Sequence, residues 1–204
     1  MTEAYKVLRR ADPALGAMME AIGPLESTTR PVDFHTMVEV IVGQQLSLKA
    51  ADTIFQRLCC GVECPLEGRL LPEMLIDHAP ETLRLLGLSR QKSGYILDLA
   101  GKSVGGEVRF DHFEDLPDEE IIRELTAVKG IGVWTVQMIL MFSLGRPDVL
   151  PVDDLGIQHG IRLLDGLSEK PTKAYMLQRA EVWRPHRSLA CRYLWRIKDS
   201  GLFG

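Results

Sequence analysis

Residues 125–135, Leu125-Thr126-Ala127-Val128-Lys129-Gly130-Ile131-Gly132-Val133-Trp134-Thr135, set two glycines around one aliphatic residue. They stand between two segments of helical character. The upstream segment opens at Pro117-Asp118-Glu119-Glu120; proline suits a first helical turn, and acids there complement the positive end of the helix dipole. The downstream segment, Val133 to Leu144, is apolar almost throughout and stops at Gly145. The unit reads as helix, tight Gly-x-Gly hairpin, helix. Such a hairpin leaves backbone N–H groups uncovered at a helix N-terminus, and those amides form a seat for a phosphate. Further on, Pro151-Val152-Asp153-Asp154 brings two carboxylates to the head of another helical pattern, Leu155 to Ile161.

Working outward, the pattern stays helical and shows no run of alternating strands. Helices are expected at 12–22, 34–43, 47–59, 69–77, 80–86, 90–103, 117–127, 133–144, 154–164, 171–182 and 186–200, which makes the fold class all-α. Asp33 and Ser47 are natural N-caps, and Gly87 and Gly101 natural stops. The 204 residues suffice for one large domain or two small lobes, and 46% hydrophobic content supports a core. No apolar run approaches the ~18 residues of a membrane span. The first residues, Met1 to Lys6, lack a signal-peptide apolar region, so a soluble cytoplasmic protein is expected, nucleoid-associated if bacterial.

The four cysteines, Cys59, Cys60, Cys64 and Cys191, lack paired zinc-ligand spacing and read as free thiols in a reducing compartment. Net charge is −4, but its distribution is uneven. Residues 107–124 hold eight acids against two arginines; residues 171–204 hold five Arg and two Lys against Glu181 and Asp199. A local basic strip is enough for a protein that scans DNA, because affinity follows the number of phosphates contacted.

The order helix, Gly-x-Gly, apolar helix, acid pair resembles the helix-hairpin-helix DNA glycosylases that carry an essential aspartate. Within that superfamily the match is closest to the 3-methyladenine DNA glycosylase II family. The matching residues are Leu125, Val128-Lys129-Gly130-Ile131-Gly132, Trp134-Thr135, Asp153-Asp154, and the block Trp183, Pro185, Arg187-Ser188, Ala190, Tyr193-Leu194-Trp195. Ile41-Val42-Gly43-Gln44-Gln45-Leu46-Ser47 also fits. The resemblance implies two helical lobes with an interlobe active site: a continuous lobe at 33–145 holding the hairpin, and a second built from 1–32 and 146–204 carrying the catalytic aspartate. Longer members add an N-terminal β-rich domain; this would be a short form, expected to be monomeric.

The resemblance also assigns roles. Asp154 becomes the catalytic carboxylate that stabilises positive charge on the sugar. Trp134 occupies the position where bifunctional relatives carry a Schiff-base lysine, so a water nucleophile and a monofunctional reaction are implied. Trp134, with Met138 and His186, is expected to form the base pocket. In Gln44-Gln45-Leu46 lies the DNA wedge, either Gln45 or Leu46. Ser89, Arg90 and Lys92 are expected along the DNA backbone, and Lys129, Gly130 and Gly132 around one phosphate. Carbonyls of Thr126, Val128 and Ile131 would hold Na+ or K+ when DNA is bound. No cofactor is required, and the relatives' iron–sulfur cluster is excluded because only Cys191 lies in the C-terminal region. The expected partner is damaged double-stranded DNA, with no membrane. The expected reaction is removal of bases of the 3-methyladenine and 7-methylguanine type. Its rivals are a non-catalytic hairpin DNA-binding module, a bifunctional glycosylase/lyase for oxidised bases, which Trp134 opposes, and a helical scaffold unrelated to DNA.

Overall fold

The computed structural model of the chain describes residues 2–26, 29–65 and 68–202. Among them lie eleven α-helices joined by turns and short 3-10 segments, with no strand. In chain order they are α1 (Glu3–Ala11), α2 (Pro13–Ile22), α3 (Phe34–Gly43), α4 (Leu48–Gly61), α5 (Pro80–Leu85), α6 (Arg90–Val104), α7 (Asp118–Thr126), α8 (Val133–Phe142), α9 (Leu155–Leu164), α10 (Lys173–Arg179) and α11 (Arg187–Trp195). The chain divides into two compact units, one formed by Met1–Thr29 with Gln137–Gly204, the other by Arg30–Val136. Among the described residues no helix is long and apolar enough to cross a membrane.

In the Arg30–Val136 unit, α3 packs on α4 and α6, and α5 packs on α6. Met37, Val38 and Ile41 of α3 meet a core that includes Leu58, Leu83, Ile96 and Leu99, all fully buried. Burial of one such aliphatic side chain contributes ~1.5–3 kcal/mol. Asp33 caps α3 by accepting from the Thr36 amide at 2.9 Å, and its carboxylate also pairs with the Arg69 guanidinium. Burial works to raise the Asp33 carboxyl, but the Arg69 and Thr36 donors outweigh it and hold the group below its ordinary value.

In the other unit, α9 packs on α11, and α1 and α2 pack on each other and on α11. Leu8, Leu15, Met18, Ile157, Ile161 and Trp183 are fully buried there. One polar knot lies among them. Asp12 caps α2 through the Leu15 amide at 3.0 Å, accepts from Trp183 Nε1 at 2.7 Å and pairs with Arg179 Nη2 at 2.6 Å. Arg179 also pairs with Asp165 at 2.9 Å and lies over the Trp183 ring.

Three differences from the expected helices have local causes. Helix α1 is absent from the sequence expectation, because its buried stripe is only Tyr5 and Leu8 within a strongly charged segment; Thr2 caps it through the Tyr5 amide. The helix expected at 69–77 is instead a 3-10 turn at Pro72–Met74. Pro72 holds the preceding Leu71 extended, at φ −110° and ψ 151°, so no helix can run through. The segments expected at 171–182 and 186–200 are each a shorter α-helix tightened at its end into 3-10 turns, Ala180–Trp183 and Ile197–Ser200.

Candidate functional site

The Gly-x-Gly hairpin is built as the sequence requires. Gly130 has φ +80°, and a Cβ there would lie 2.1 Å from the Tyr95 ring, so both conformation and space demand glycine. Ile131 donates its amide to the Val128 carbonyl at 3.2 Å, closing the turn. The Lys129 amide is taken by Asp98 Oδ2 at 2.9 Å, and the Lys129 ammonium lies 3.6 Å from Asp98 Oδ1 while 75% of its side chain remains exposed. Gly130 and Gly132 are exposed at the head of α8, where an anion is favoured. Neither Tyr95 nor Asp98 is singled out by the sequence. Both lie on α6, one helical turn apart from each other, but nothing in their own neighbourhood ties them to a hairpin more than thirty residues on.

Alongside it runs an open groove of about 590 Å³, lined by Gln44, Gln45, Leu46, Ser89, Lys92, Tyr95, Gly130 and Trp134 among others. The turn Gly43–Ser47 forms one wall. Gln45 adopts φ +57°, a left-handed conformation uncommon for a side-chain-bearing residue, and is exposed; Leu46 is 40% exposed. Gln44 turns inward, donating from Nε2 to the Gly130 carbonyl at 3.0 Å, and so ties this turn to the hairpin. Ser89 caps α6 through the Lys92 amide at 3.2 Å, and Arg90 is exposed. Lys92 lines the groove and is also tied to the protein backbone. Its ammonium donates to the carbonyls of Val42 and Gln44, each at 2.7 Å, closing the C-terminal end of α3. Burial lowers its pKa. The α3 carbonyl end is electronegative, so a lysine one turn into α6 is drawn to it rather than to solvent.

Asp154 lies in the other unit, at the N-cap of α9. It is buried, and its Oδ1 accepts from two donors: the Ile157 amide at 2.8 Å and Trp195 Nε1 at 2.8 Å. The loop leading to it is pinned by α11. Arg187 grips Asp148 with Nε on Oδ1 at 2.7 Å and Nη2 on Oδ2 at 3.0 Å. Ser188 Oγ accepts from the Val149 amide and donates to the Arg146 carbonyl, and Gln158 Nε2 holds the Val152 carbonyl at 2.7 Å. Asp153, by contrast, is exposed and pairs with Lys173 at 2.6 Å.

The residues expected around a base are distributed as follows. Trp134 is 49% exposed and belongs to the Arg30–Val136 unit; Met138 and His186 belong to the other and are partly buried. His186 lines a cavity of about 130 Å³ with Met141, Pro147 and Ser188. A separate groove of about 540 Å³ is lined by Phe142, Arg192, Trp195 and Arg196. Trp195, which donates to Asp154, is stacked on Phe142 with ring centroids 5.6 Å apart and planes at 28°. The expected C-terminal basic strip is largely engaged within its own unit. Arg179, Arg184, Arg187, Arg196 and Lys173 are in ion pairs, and Arg192 donates to the Glu26 carbonyl. Cys59, Cys60, Cys64 and Cys191 are free thiols; burial and the neighbouring thiols push Cys59 up to about 11. Among the described residues no cluster of three His, Cys, Asp or Glu side chains could hold a metal ion.

Comparison with known proteins places this arrangement. Residues 38–185 match the HhH-GPD superfamily of base excision DNA repair proteins. The chain is 37% identical over 201 residues to DNA-3-methyladenine glycosylase 1 of Schizosaccharomyces pombe, covering 96% of this chain and 87% of that protein. Among solved structures, DNA-3-methyladenine glycosidase from Bacillus halodurans superposes with a TM-score of 0.86 at 37% identity, covering 99% of this chain and 91% of that one. A 3-methyladenine DNA glycosylase of S. pombe, solved in complex with abasic DNA, superposes with a TM-score of 0.79 at 34% identity over 96% of each chain. The chain belongs to the HhH-GPD superfamily of base excision DNA repair proteins and, within it, to the 3-methyladenine DNA glycosylases.

Proposed function

We propose that this protein is a monofunctional DNA glycosylase that excises alkylated bases, of the 3-methyladenine and 7-methylguanine type, from damaged double-stranded DNA. The observation that carries the mechanism is Asp154: a buried carboxylate at a helix N-terminus, held by donors that include the Ile157 amide and the Trp195 indole N–H. Alkylation at a ring nitrogen makes the base cationic and a good leaving group. The C1′–N bond breaks with its electron pair leaving on the base, and positive charge develops on the sugar. A carboxylate beside C1′ stabilises that charge; water then adds at C1′ and gives up a proton. The products are a free base and an intact strand with an abasic site. Trp134 presents an aromatic face in place of the lysine that a Schiff-base mechanism needs, and aromatic faces attract cationic rings.

Reaching the base requires extruding its nucleotide, which costs a few kcal/mol. Gln45 is our choice of wedge over Leu46, because its left-handed backbone is the strained feature of the turn, and strain of ~1–3 kcal/mol gathers at functional positions. The amides of Gly130 and Gly132, with Lys129 beside them, would grip one phosphate. Carbonyls of Thr126, Val128 and Ile131 suit a monovalent cation there: α7 ends at Thr126, so its electronegative end is presented, and neutral carbonyl oxygens are the donors such ions take. The test is release of free base from duplexes carrying 3-methyladenine or 7-methylguanine. The proposal expects release with no strand break until alkali or heat is applied; direct nicking by the protein would reject the monofunctional reading.

A further inference from the structure

The contact between Trp195 and Asp154 is more elaborate than helix capping requires. An N-cap carboxylate is satisfied by one backbone amide, and Ile157 supplies it at 2.8 Å. The indole of Trp195 adds a second donor to the same oxygen, at 2.8 Å, from forty-one residues away. Space has been cleared for it. At Gly156 a Cβ would stand 2.6 Å from Trp195 Cδ1, 3.0 Å from Trp195 Nε1 and 3.0 Å from Asp154 Oδ1. The first distance is shorter than real Cβ contacts and the other two are tight, so a larger residue at 156 has to shift the indole relative to the carboxylate. The indole is also stacked on Phe142, with ring centroids 5.6 Å apart. A glycine, a stacked phenylalanine and a backbone amide thus converge to fix one carboxylate in one orientation.

We propose that Trp195 is a positioning residue for the reaction, acting through Asp154: its N–H fixes the plane of the carboxylate so that the charge is in place when the sugar becomes cationic. The inference rests on Asp154 being the catalytic carboxylate. An indole N–H donates and cannot accept, so it also keeps the oxygen it touches acting as an acceptor. Removing the indole takes away one of the contacts that fix the carboxylate's plane, and small misplacements of a reacting group can cost ~10²-fold in rate.

The experiment compares wild type, Trp195→Phe, Gly156→Ala and Asp154→Asn in two measurements. One is the single-turnover rate of 7-methylguanine release; the other is affinity for a duplex holding a tetrahydrofuran abasic-site analogue. The proposal expects Trp195→Phe and Gly156→Ala to slow release by at least ~10-fold while affinity stays within about twofold of wild type, which also certifies that each variant is folded. Gly156→Ala decides the matter should Trp195→Phe fail to fold, because it retains the indole and only moves it. Release at the wild-type rate by a folded variant overturns the proposal, as does a loss of affinity as large as the loss of rate. Failure of the underlying reading looks different: Asp154→Asn itself would then release base at the wild-type rate.

Discussion

Gly130 carries two demands at once: φ of +80° and the Tyr95 ring pressed against the place of its missing side chain. Gly130→Ala is expected to lower stability by ~3 kcal/mol, from left-handed strain and overpacking together, and to weaken DNA binding severalfold. Urea denaturation with fluorescence anisotropy on a lesion-free duplex checks both; an unchanged denaturation midpoint would contradict the packing seen at Tyr95. Asp12 is the corresponding residue in the other unit. Asp12→Ala leaves Trp183 Nε1 and one side of Arg179 without their buried acceptor, a loss of ~3 kcal/mol, readable in the same denaturation experiment. The hairpin glycines were legible because a turn this tight between two helices needs a left-handed residue, which glycine supplies without steric cost. Tyr95 and Asp98 were not, since the reason for their identity lies on a distant segment that sequence spacing does not reveal.

Among the elements, α6 and the turn after α3 form one mechanical assembly. Lys92 holds the α3 carbonyls, and Gln44 holds the hairpin carbonyl. Lysines on a DNA-binding surface are ordinarily read as phosphate contacts, and the sequence expectation for Lys92 followed that rule. In the structure its ammonium donates to the α3 C-terminal carbonyls. The distinction is measurable through salt. A lysine that contacts a phosphate contributes about 0.9 to the slope of log affinity against log salt. Lys129→Met is expected to reduce the slope by about that amount, whereas Lys92→Met leaves it unchanged and slows base release by loosening the turn that carries Gln45. A slope loss in Lys92→Met equal to that in Lys129→Met would restore the direct contact. Four helix starts were readable from their caps: Asp33, Ser47, Ser89 and Asp154 each accept the amide three residues on. Helix α1 escaped although Ala4, Val7, Leu8 and Ala11 keep helical spacing, because the segment is short and its charged residues outweigh that stripe.

At the scale of the whole molecule, stability should depend on acid in a predictable direction. Asp12 and Asp33 are held below their ordinary value of 3.8, burial opposing and their N–H and guanidinium donors prevailing. A carboxyl lowered in the folded state stabilises the fold fully above 3.8, and that contribution fades as pH falls through the lower folded value. The contribution of these two carboxylates should therefore be intact above about pH 5 and be lost steeply below ~4, with a shallower fall of the denaturation midpoint there in Asp12→Asn. The all-helical architecture and the acid-pair position were legible in the sequence, because hairpin glycines, caps and hydrophobic runs are local signals. The aromatic support of Asp154 was not: Trp195 stood in plain view within a matching block, but only folding brings it to a carboxylate forty-one residues earlier. The most direct test of the account is base release from a 7-methylguanine duplex by wild type and Asp154→Asn under single-turnover conditions. The account predicts that the variant still binds the duplex and releases base at least ~10²-fold more slowly; equal rates from the two proteins would contradict it.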